Sequence, residues 1–414
     1  MRIERIRDES TENGKRLLAE LVWEDRERPS RTIVIAVSDP FAADIEPNPD
    51  AFLVAALPLA QWNGEKRIQI EGTICCRLRD GLSVAMELFG MWYQRCGVVA
   101  IEPSRGFAPS VARREPRAAS LLSGGIDALA ALRSNGLDYP ASHASSIRDC
   151  ILLFGLNSYD LDADVARPDR LAAFAEHRSR LASLCEHAGA TLISIDTNIR
   201  SVYEDYESWG WVGFGAGALS TALCLSNRID RVQIGSAGLG LRQQQGGSHP
   251  WLDHYYSTEA VAVHQAQPGM SRFEKTRIVA DWPQALAVLR SCYYRTIPPE
   301  GRINCGECDK CVRTMLALVA LAKLDRAPTF PFDDVTPEMV EKVDLEGSED
   351  RRYFAQCIDG LDQRGRSDLT RVIAHKLSLF DRKARRRNAL KIVKRAAGLA
   401  RPEHNLHISP WLDV

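Results

Sequence analysis

Hydrophobic and polar positions follow three successive rhythms along this 414-residue chain. Up to about residue 112, turn signals alternate with short β-rich runs at Leu17–Glu24, Arg31–Ser38, Phe52–Ala60 and Arg67–Ile74. A helix is expected over Arg79–Tyr93, where Leu82, Met86, Leu88 and Met91 recur at roughly helical spacing. These elements predict an α+β domain of its own over residues 1–112, with Ser104–Pro116 as a Pro-, Arg- and small-residue linker. From Ala118 the rhythm becomes continuous apolar strands separated by helices. The strands are Ala118–Leu122, Ile151–Leu156, Thr191–Asp196 and Arg231–Gly235; the helices include Asp169–His187 and Gly215–Asn227. Strands apolar on both faces predict a doubly wound parallel sheet over residues 113–325, with ligands at the carboxyl ends of its strands. After Cys311 the pattern is helical, first at Arg313–Leu324, then in three further stretches before residue 400. A helical C-terminal extension over 326–414 is expected.

Charge narrows the function classes. Lys plus Arg is 53 and Asp plus Glu is 54, so a generally basic nucleic-acid coat is excluded. One local exception is Arg382–Arg401, which holds nine Lys or Arg and no acid. It predicts either a solvated helix docking Leu390, Ile392 and Val393, or a contact for an anionic partner. No run reaches the roughly 18–20 apolar residues of a membrane span, and Met1–Lys15 lacks the apolar core of a secretory signal. The eleven cysteines are an odd number in a long chain. The expected compartment is therefore the reducing cytoplasm, where clustered cysteines point to metal first. Adjacent Cys75 and Cys76 are expected to be packing residues.

The sharpest local signal is Ser123-Gly124-Gly125-Ile126-Asp127-Ala128, directly after an apolar strand. Two glycines let backbone approach an anion closely, and the following helix offers unpaired N–H groups and the positive end of its dipole. Ser123 adds a hydroxyl donor. Asp127 suits a Mg²⁺ ligand or the helix cap; a plain strand–helix turn with an Asp cap is the alternative. Gly213-x-Gly215-x-x-Ala218 imitates a dinucleotide fingerprint, but small residues packing a helix on the sheet explain it better.

The second signal is Cys305-Gly306-Glu307-Cys308-Asp309-Lys310-Cys311, with Cys292 upstream. Four thiolates complete a tetrahedral zinc shell, Gly306 permits the tight turn, and Lys310, Arg302 and Arg313 can offset its negative charge. A closed shell holds the fold and activates no water. An iron–sulfur cluster or unmetallated thiols are the alternatives, although a ferredoxin-type run would place a cysteine where Met315 stands.

SGGxD after a first strand, joined to SCY and CGxCxxC in the same domain, is similar to the PP-loop ATP pyrophosphatase superfamily. More narrowly it resembles 7-cyano-7-deazaguanine synthase (QueC) and QueC-like proteins, over about Ala118–Leu324. The resemblance implies an adenine nucleotide α-hydrolase-like PP-loop α/β fold and ATP cleaved to AMP and pyrophosphate. Ser123, Gly124, Gly125 and Asp127 would form the pyrophosphate loop. Lys275, with Arg272 beside it, would steady phosphate charge, and Cys292, Cys305, Cys308 and Cys311 would hold Zn²⁺. In such enzymes a carboxylate, 7-carboxy-7-deazaguanine in QueC, becomes an acyl adenylate that ammonia attacks, giving an amide and then a nitrile. Three features depart from the family pattern: Ala128 replaces the loop's closing Ser, the Cys292–Cys305 spacer is longer, and both ends of the chain carry additions. QueC-like proteins with extra parts occur in anti-phage defence systems. The N-terminal domain would suit holding a protein acceptor, whose amine would give conjugation instead of a nitrile.

Further polar positions follow the fourth strand. Ser236 ends it, well placed for a ligand contact. Asp253 or Glu259 could bind Mg²⁺ or a base edge, or Asp253 could close a turn while Ser257 or Thr258 caps a helix. His249, His254 and His264 lack metal spacing and are expected at surface or turn positions. Arg272 and Lys275, with Glu274 nearby, could instead make an i,i+3 surface face. Tyr203, Tyr206, Trp209 and Trp211 are expected to pack a core or lid. Two rival functions remain: a PP-loop enzyme acting on tRNA, favoured by Arg382–Arg401, and a non-catalytic nucleotide- or partner-binding module, favoured by Ala128.

Overall fold

Ten strands share one sheet in the computed structural model, which describes residues 1–93, 97–109, 115–156, 168–203, 205–238, 245–292, 298–299, 301–345 and 347–396. They are β1 (Arg2–Thr11), β2 (Gly14–Val22), β3 (Arg31–Ser38), β4 (Arg67–Ile70) and β5 (Ala100–Pro103), then β6 (Ala118–Leu121), β7 (Ile147–Phe154), β8 (Thr191–Thr197), β9 (Arg231–Gly235) and β10 (Ala262–Ala266). Their order is β10-β9-β6-β7-β8-β3-β2-β1-β4-β5. From β10 to β8 every pairing is parallel. The chain passes from β6 outward to β8, then returns to β9 on the other side of β6. That reversal makes the carboxyl ends of β6 and β9 the topological switch point, where open α/β sheets bind ligands.

The α/β class and the mostly parallel centre agree with the sequence expectation. The first 112 residues do not form a sheet of their own. β3 pairs antiparallel with β8, so β1–β5 continue the parallel sheet. Alternating strand residues then feed two cores. Ala119, Leu121, Ile193, Ile195, Val232 and Ile234 face one core, shared with the helices Pro49–Asn63, Cys76–Tyr93 and Phe214–Leu223. Cys150 and Leu152 face the other, shared with the helices Ile126–Asp138, Pro168–His187 and Asp309–Ala320 and with the C-terminal helices Ser348–Gln363 and Ser367–Ala396. The N-terminal helices thus cover one face of the central sheet, and the C-terminal helices thicken the layer on the other.

One segment expected as β-rich is helical. Phe52–Ala60 lies in the helix Pro49–Asn63. Its residues are buried on all sides, so its apolar run carries no period to separate helix from strand. The caps decide: Asn48 accepts from the N–H of Asp50, Pro49 occupies the first turn, and Gly64 ends the helix at φ 75°. Cys76 opens the next helix and Cys75 is buried, a packing role as expected. Part of the expected linker, residues 110–114, lies outside the described residues. No helix among the described residues is long and apolar enough to cross a membrane.

Candidate functional site

The loop after β6 is held in a shape only glycine tolerates. Gly124 has φ +78°, and a Cβ there would sit 2.7 Å from His177 Cε1 and 2.8 Å from Nε2. Its carbonyl accepts from the N–H of Arg290 at 2.9 Å. The Ser123 hydroxyl oxygen accepts from the Gly125 N–H at 3.3 Å, which leaves the hydroxyl proton for another acceptor. Gly125, not Asp127, is the cap of the helix Ile126–Asp138, so the cap role expected for Asp127 falls away. Ala128 is buried in that helix.

Asp127 instead meets two cations from the helix Arg272–Ala280. Arg272 donates to its Oδ2 at 2.8 Å, and Lys275 Nζ lies 3.7 Å from its Oδ1. Oδ1 is buried without a hydrogen-bond partner among the described residues. Lys275 is fully buried and donates to the carbonyl of Ser236 at the end of β9. Burial lowers the Lys275 pKa, and Asp127 works against that shift. These contacts exclude the surface i,i+3 face, because Glu274 is spent on a capping box with Ser271. Ser236 is itself buried, and its hydroxyl donates to Gly238 at 3.2 Å. Gly235 permits the close approach: a Cβ there would meet the Asp127 backbone at 2.7 Å. The predicted residues Ser123, Gly124, Gly125, Asp127, Ser236, Arg272 and Lys275 therefore converge at the switch point from three chain segments.

The four predicted cysteines also converge. The Sγ atoms of Cys292, Cys305, Cys308 and Cys311 all lie within 4.8 Å of one another, and Cys305 and Cys311 are 3.9 Å apart. Zinc–sulfur bonds of about 2.3 Å in a tetrahedron place sulfurs about 3.8 Å apart, so the cluster is the size of a single-ion shell. Without a cation, contact with Cys305 and with Cys292 respectively pushes the Cys292 and Cys311 thiols up, so gathering four thiolates calls for a positive charge at the centre. Cys308 caps the helix Asp309–Ala320, whose dipole favours thiolate. Gly306 has φ +77°, and a Cβ there would lie 2.6 Å from the Phe332 ring. Two expected charge partners act elsewhere: Arg313 pairs with Asp350, and Arg302 donates to the Pro328 carbonyl.

Sequence reasoning missed Asn304, which fixes the first ligand. Its Oδ1 accepts from the N–H groups of Ser291 (2.7 Å) and Cys292 (3.1 Å), and its Nδ2 donates to Leu289 and Thr329. An Asn directly before the first Cys of CGEC was the only signal available. Asn304→Leu strands two buried N–H groups at about 1–3 kcal/mol each. Bound metal measured after dialysis is expected to fall by at least about tenfold in affinity, the scale of outer-shell losses.

No family model, curated protein or solved structure matches this chain.

Several other expectations are settled by burial. His249 stands in a turn, its carbonyl accepting from the Leu252 and Asp253 N–H groups, but it is buried between Trp92 and Trp251 and not at the surface, whereas His254 and His264 are exposed. Asp253 is buried and takes hydrogen bonds from Ser248, Gln265 and the His249 N–H, so its donors are internal; burial pushes its pKa up to about 6. Thr258 Oγ1 accepts from Val261 in a turn, and Glu259 is exposed. Small residues at Gly215 and Gly217 are sterically required, since Cβ atoms there would meet Gly247 and Trp209. Tyr203, Trp209 and Trp211 pack in the core, Tyr203 edge-on to Trp209 and Trp211 stacked on Tyr93; the Tyr206 side chain lies outside the described residues.

His177, also missed, is buried against the loop. Burial, then Arg290, pushes its pKa from 6.5 down to about 4. Below pH 6.5 the unfolded chain takes up a proton here that the folded protein refuses. Stability from this residue is therefore full above 6.5 and lost as pH falls toward 4. At about 1.4 kcal/mol per pH unit the loss totals roughly 3 kcal/mol. Urea titrations at several pH values are expected to show a shallower acid slope for His177→Gln.

Proposed function

We propose that this chain is a QueC-like, AMP-forming enzyme that activates a carboxylate with ATP, using a PP-loop fold. The supporting observation is the switch-point arrangement: the Ser123–Gly125 loop at the end of β6, backed by buried Lys275 and by Arg272, both held by Asp127. A triphosphate suits this arrangement, since Arg272 and Lys275 set positive charge beside the N–H groups of the loop. Loop N–H groups and the Ser123 hydroxyl would hold the departing pyrophosphate, with Arg272 and Lys275 stabilising charge as it develops. Asp127 is the carboxylate at the loop and would be the residue to hold Mg²⁺ with a bound nucleotide; its Oδ1 pairs with Lys275 at 3.7 Å and accepts no hydrogen bond among the described residues. Ala128 removes one hydroxyl donor but leaves the backbone donors in place.

The carboxylate oxygen attacks the α-phosphorus, the bond to the bridging oxygen breaks, and pyrophosphate leaves. Nitrogen then attacks the acyl carbon and AMP departs. The acid we propose is 7-carboxy-7-deazaguanine or a related acid, with ammonia as acceptor. The metal proposed for the four cysteines is zinc, in a structural role.

Mass spectrometry of a mixture of protein, Mg-ATP, 7-carboxy-7-deazaguanine and ammonium tests this reading. It predicts conversion of the acid to the amide or nitrile. A mass increase on a protein chain would redirect the nitrogen donor to a protein amine, and an unchanged acid would count against the substrate.

One observation favours a second reading, action on tRNA. Arg382, Lys383, Arg385, Arg386 and Arg387 are exposed just past the middle of the helix Ser367–Ala396, while Asp381 is engaged by Arg351. The segment is helical to Ala396 with its described cations solvated, as the solvated-helix alternative also expects, but Leu390 is 58% exposed and does not form the apolar edge that alternative allowed. The side chains of Ile392 and Val393, and residues 397–401, lie outside the described residues. This reading predicts tRNA affinity that falls steeply with salt, roughly 0.7–0.9 log units per log of salt for each phosphate neutralised. Binding indifferent to salt would remove it.

A further inference from the structure

We infer that His177 is a positioning residue for the candidate anion loop, setting both the Ser123 carbonyl and the left-handed turn at Gly124. The inference deepens the nucleotide reading above, and its effect on affinity rests on that reading. His177 comes from the helix Pro168–His187, in the connection between β7 and β8. Its Nε2 lies 3.0 Å from the Ser123 carbonyl oxygen. A carbonyl only accepts, so Nε2 carries the proton and Nδ1 of the neutral ring is a bare acceptor. That Nδ1 is buried with no hydrogen-bond partner among the described residues. A residue serving only to fill space would be better as an apolar ring, because an unpaired buried nitrogen is destabilising. Among the described residues, the bond to Ser123 is the one hydrogen bond the imidazole makes.

The same ring bars the loop from relaxing. Its edge occupies the space a Cβ on Gly124 would need, 2.7–2.8 Å away, while the Val288 carbonyl lies 3.4 Å away and the Arg290 N–H holds the Gly124 carbonyl. The turn is thus clamped between His177 and the Val288–Arg290 segment. Arg290 stands two residues before the metal ligand Cys292, so the second half of the clamp is tied to the cysteine cluster. Loop donors fixed before the ligand arrives cost no reorganisation when charge develops.

The test compares His177→Phe, which keeps the ring and loses the donor, with His177→Gln, whose amide can donate to the same carbonyl. Two readouts are taken on the full chain: hydrogen exchange at the amides of residues 123–127 without ligand, and the Kd for Mg-ATP. His177→Phe is expected to speed exchange at those amides by about tenfold, with β6–β9 unchanged, and to weaken Mg-ATP by about tenfold, while His177→Gln recovers most of both. Wild-type exchange at the loop in both variants would overturn the inference. If the wild-type protein binds no Mg-ATP, the nucleotide reading fails and the exchange data alone decide the role of His177.

Discussion

On the proposed zinc site, Cys311→Ser is expected to release the metal and unfold the helical layer built on it. Cys311 is fully buried at the start of the helix Asp309–Ala320 and belongs to the same core as Ser348–Gln363 and Leu369, Ile373 and Leu377. Serine is a poor soft-metal ligand, so three remaining thiols lose the charge that gathers them. Structural zinc sites contribute about 10–16 kcal/mol in small peptides, against a total stability of about 5–15 kcal/mol for a domain. Even a fraction of that exceeds what this layer can lose. Metal analysis should fall from about one ion per chain to near none, and the melting transition should broaden or split. A chelator added to wild-type protein should reproduce both effects. A variant that keeps its metal and its melting temperature would show that the cluster is not a metal site.

Lys275→Met is expected to be the most damaging change at the loop. It leaves the Ser236 carbonyl without its buried donor and removes one of the two ion pairs that Asp127 makes with the helix Arg272–Ala280. Removing one member of a buried ion pair costs about 3–5 kcal/mol. On the proposed reaction, catalytic loss is expected to be larger still, about a hundredfold or more, since transition-state charge loses a preorganised partner. Lys275→Arg is no rescue, because a guanidinium does not fit a fully buried slot shaped for an ammonium. Chemical denaturation separates the two effects: activity lost well beyond the fraction unfolded indicates a direct role. Unchanged activity would remove Lys275 from the site.

What the sequence made legible was what lies close together along it. The SGGxD loop follows its strand directly, and three of the four cysteines lie in seven residues, so local spacing sufficed. Lys275 and Arg272 needed the motif resemblance, and the structure adds the reason: both reach Asp127 across 145 or more residues of chain. His177 and Asn304 carry no motif. Each acts through hydrogen bonds to backbone, 54 and 12 residues away for Ser123 and Cys292, and backbone bonds leave no trace in residue type. In the fold, Phe52–Ala60 misled because burial on all sides erases helical period. β1 escaped notice because Ile3 is its one fully buried side chain and the rest is largely charged. The shared sheet was invisible for a topological reason: β3 pairs with β8, more than 150 residues later.

The central claim is that ATP is cleaved between its α and β phosphates at the Ser123–Asp127 loop. The most direct measurement is chromatography of nucleotide products from α-labelled ATP, with Mg²⁺ and 7-carboxy-7-deazaguanine, for wild-type protein and Asp127→Asn. The account predicts labelled AMP that depends on the acid and disappears in the variant. Labelled ADP, or AMP formed equally by Asp127→Asn, would contradict it.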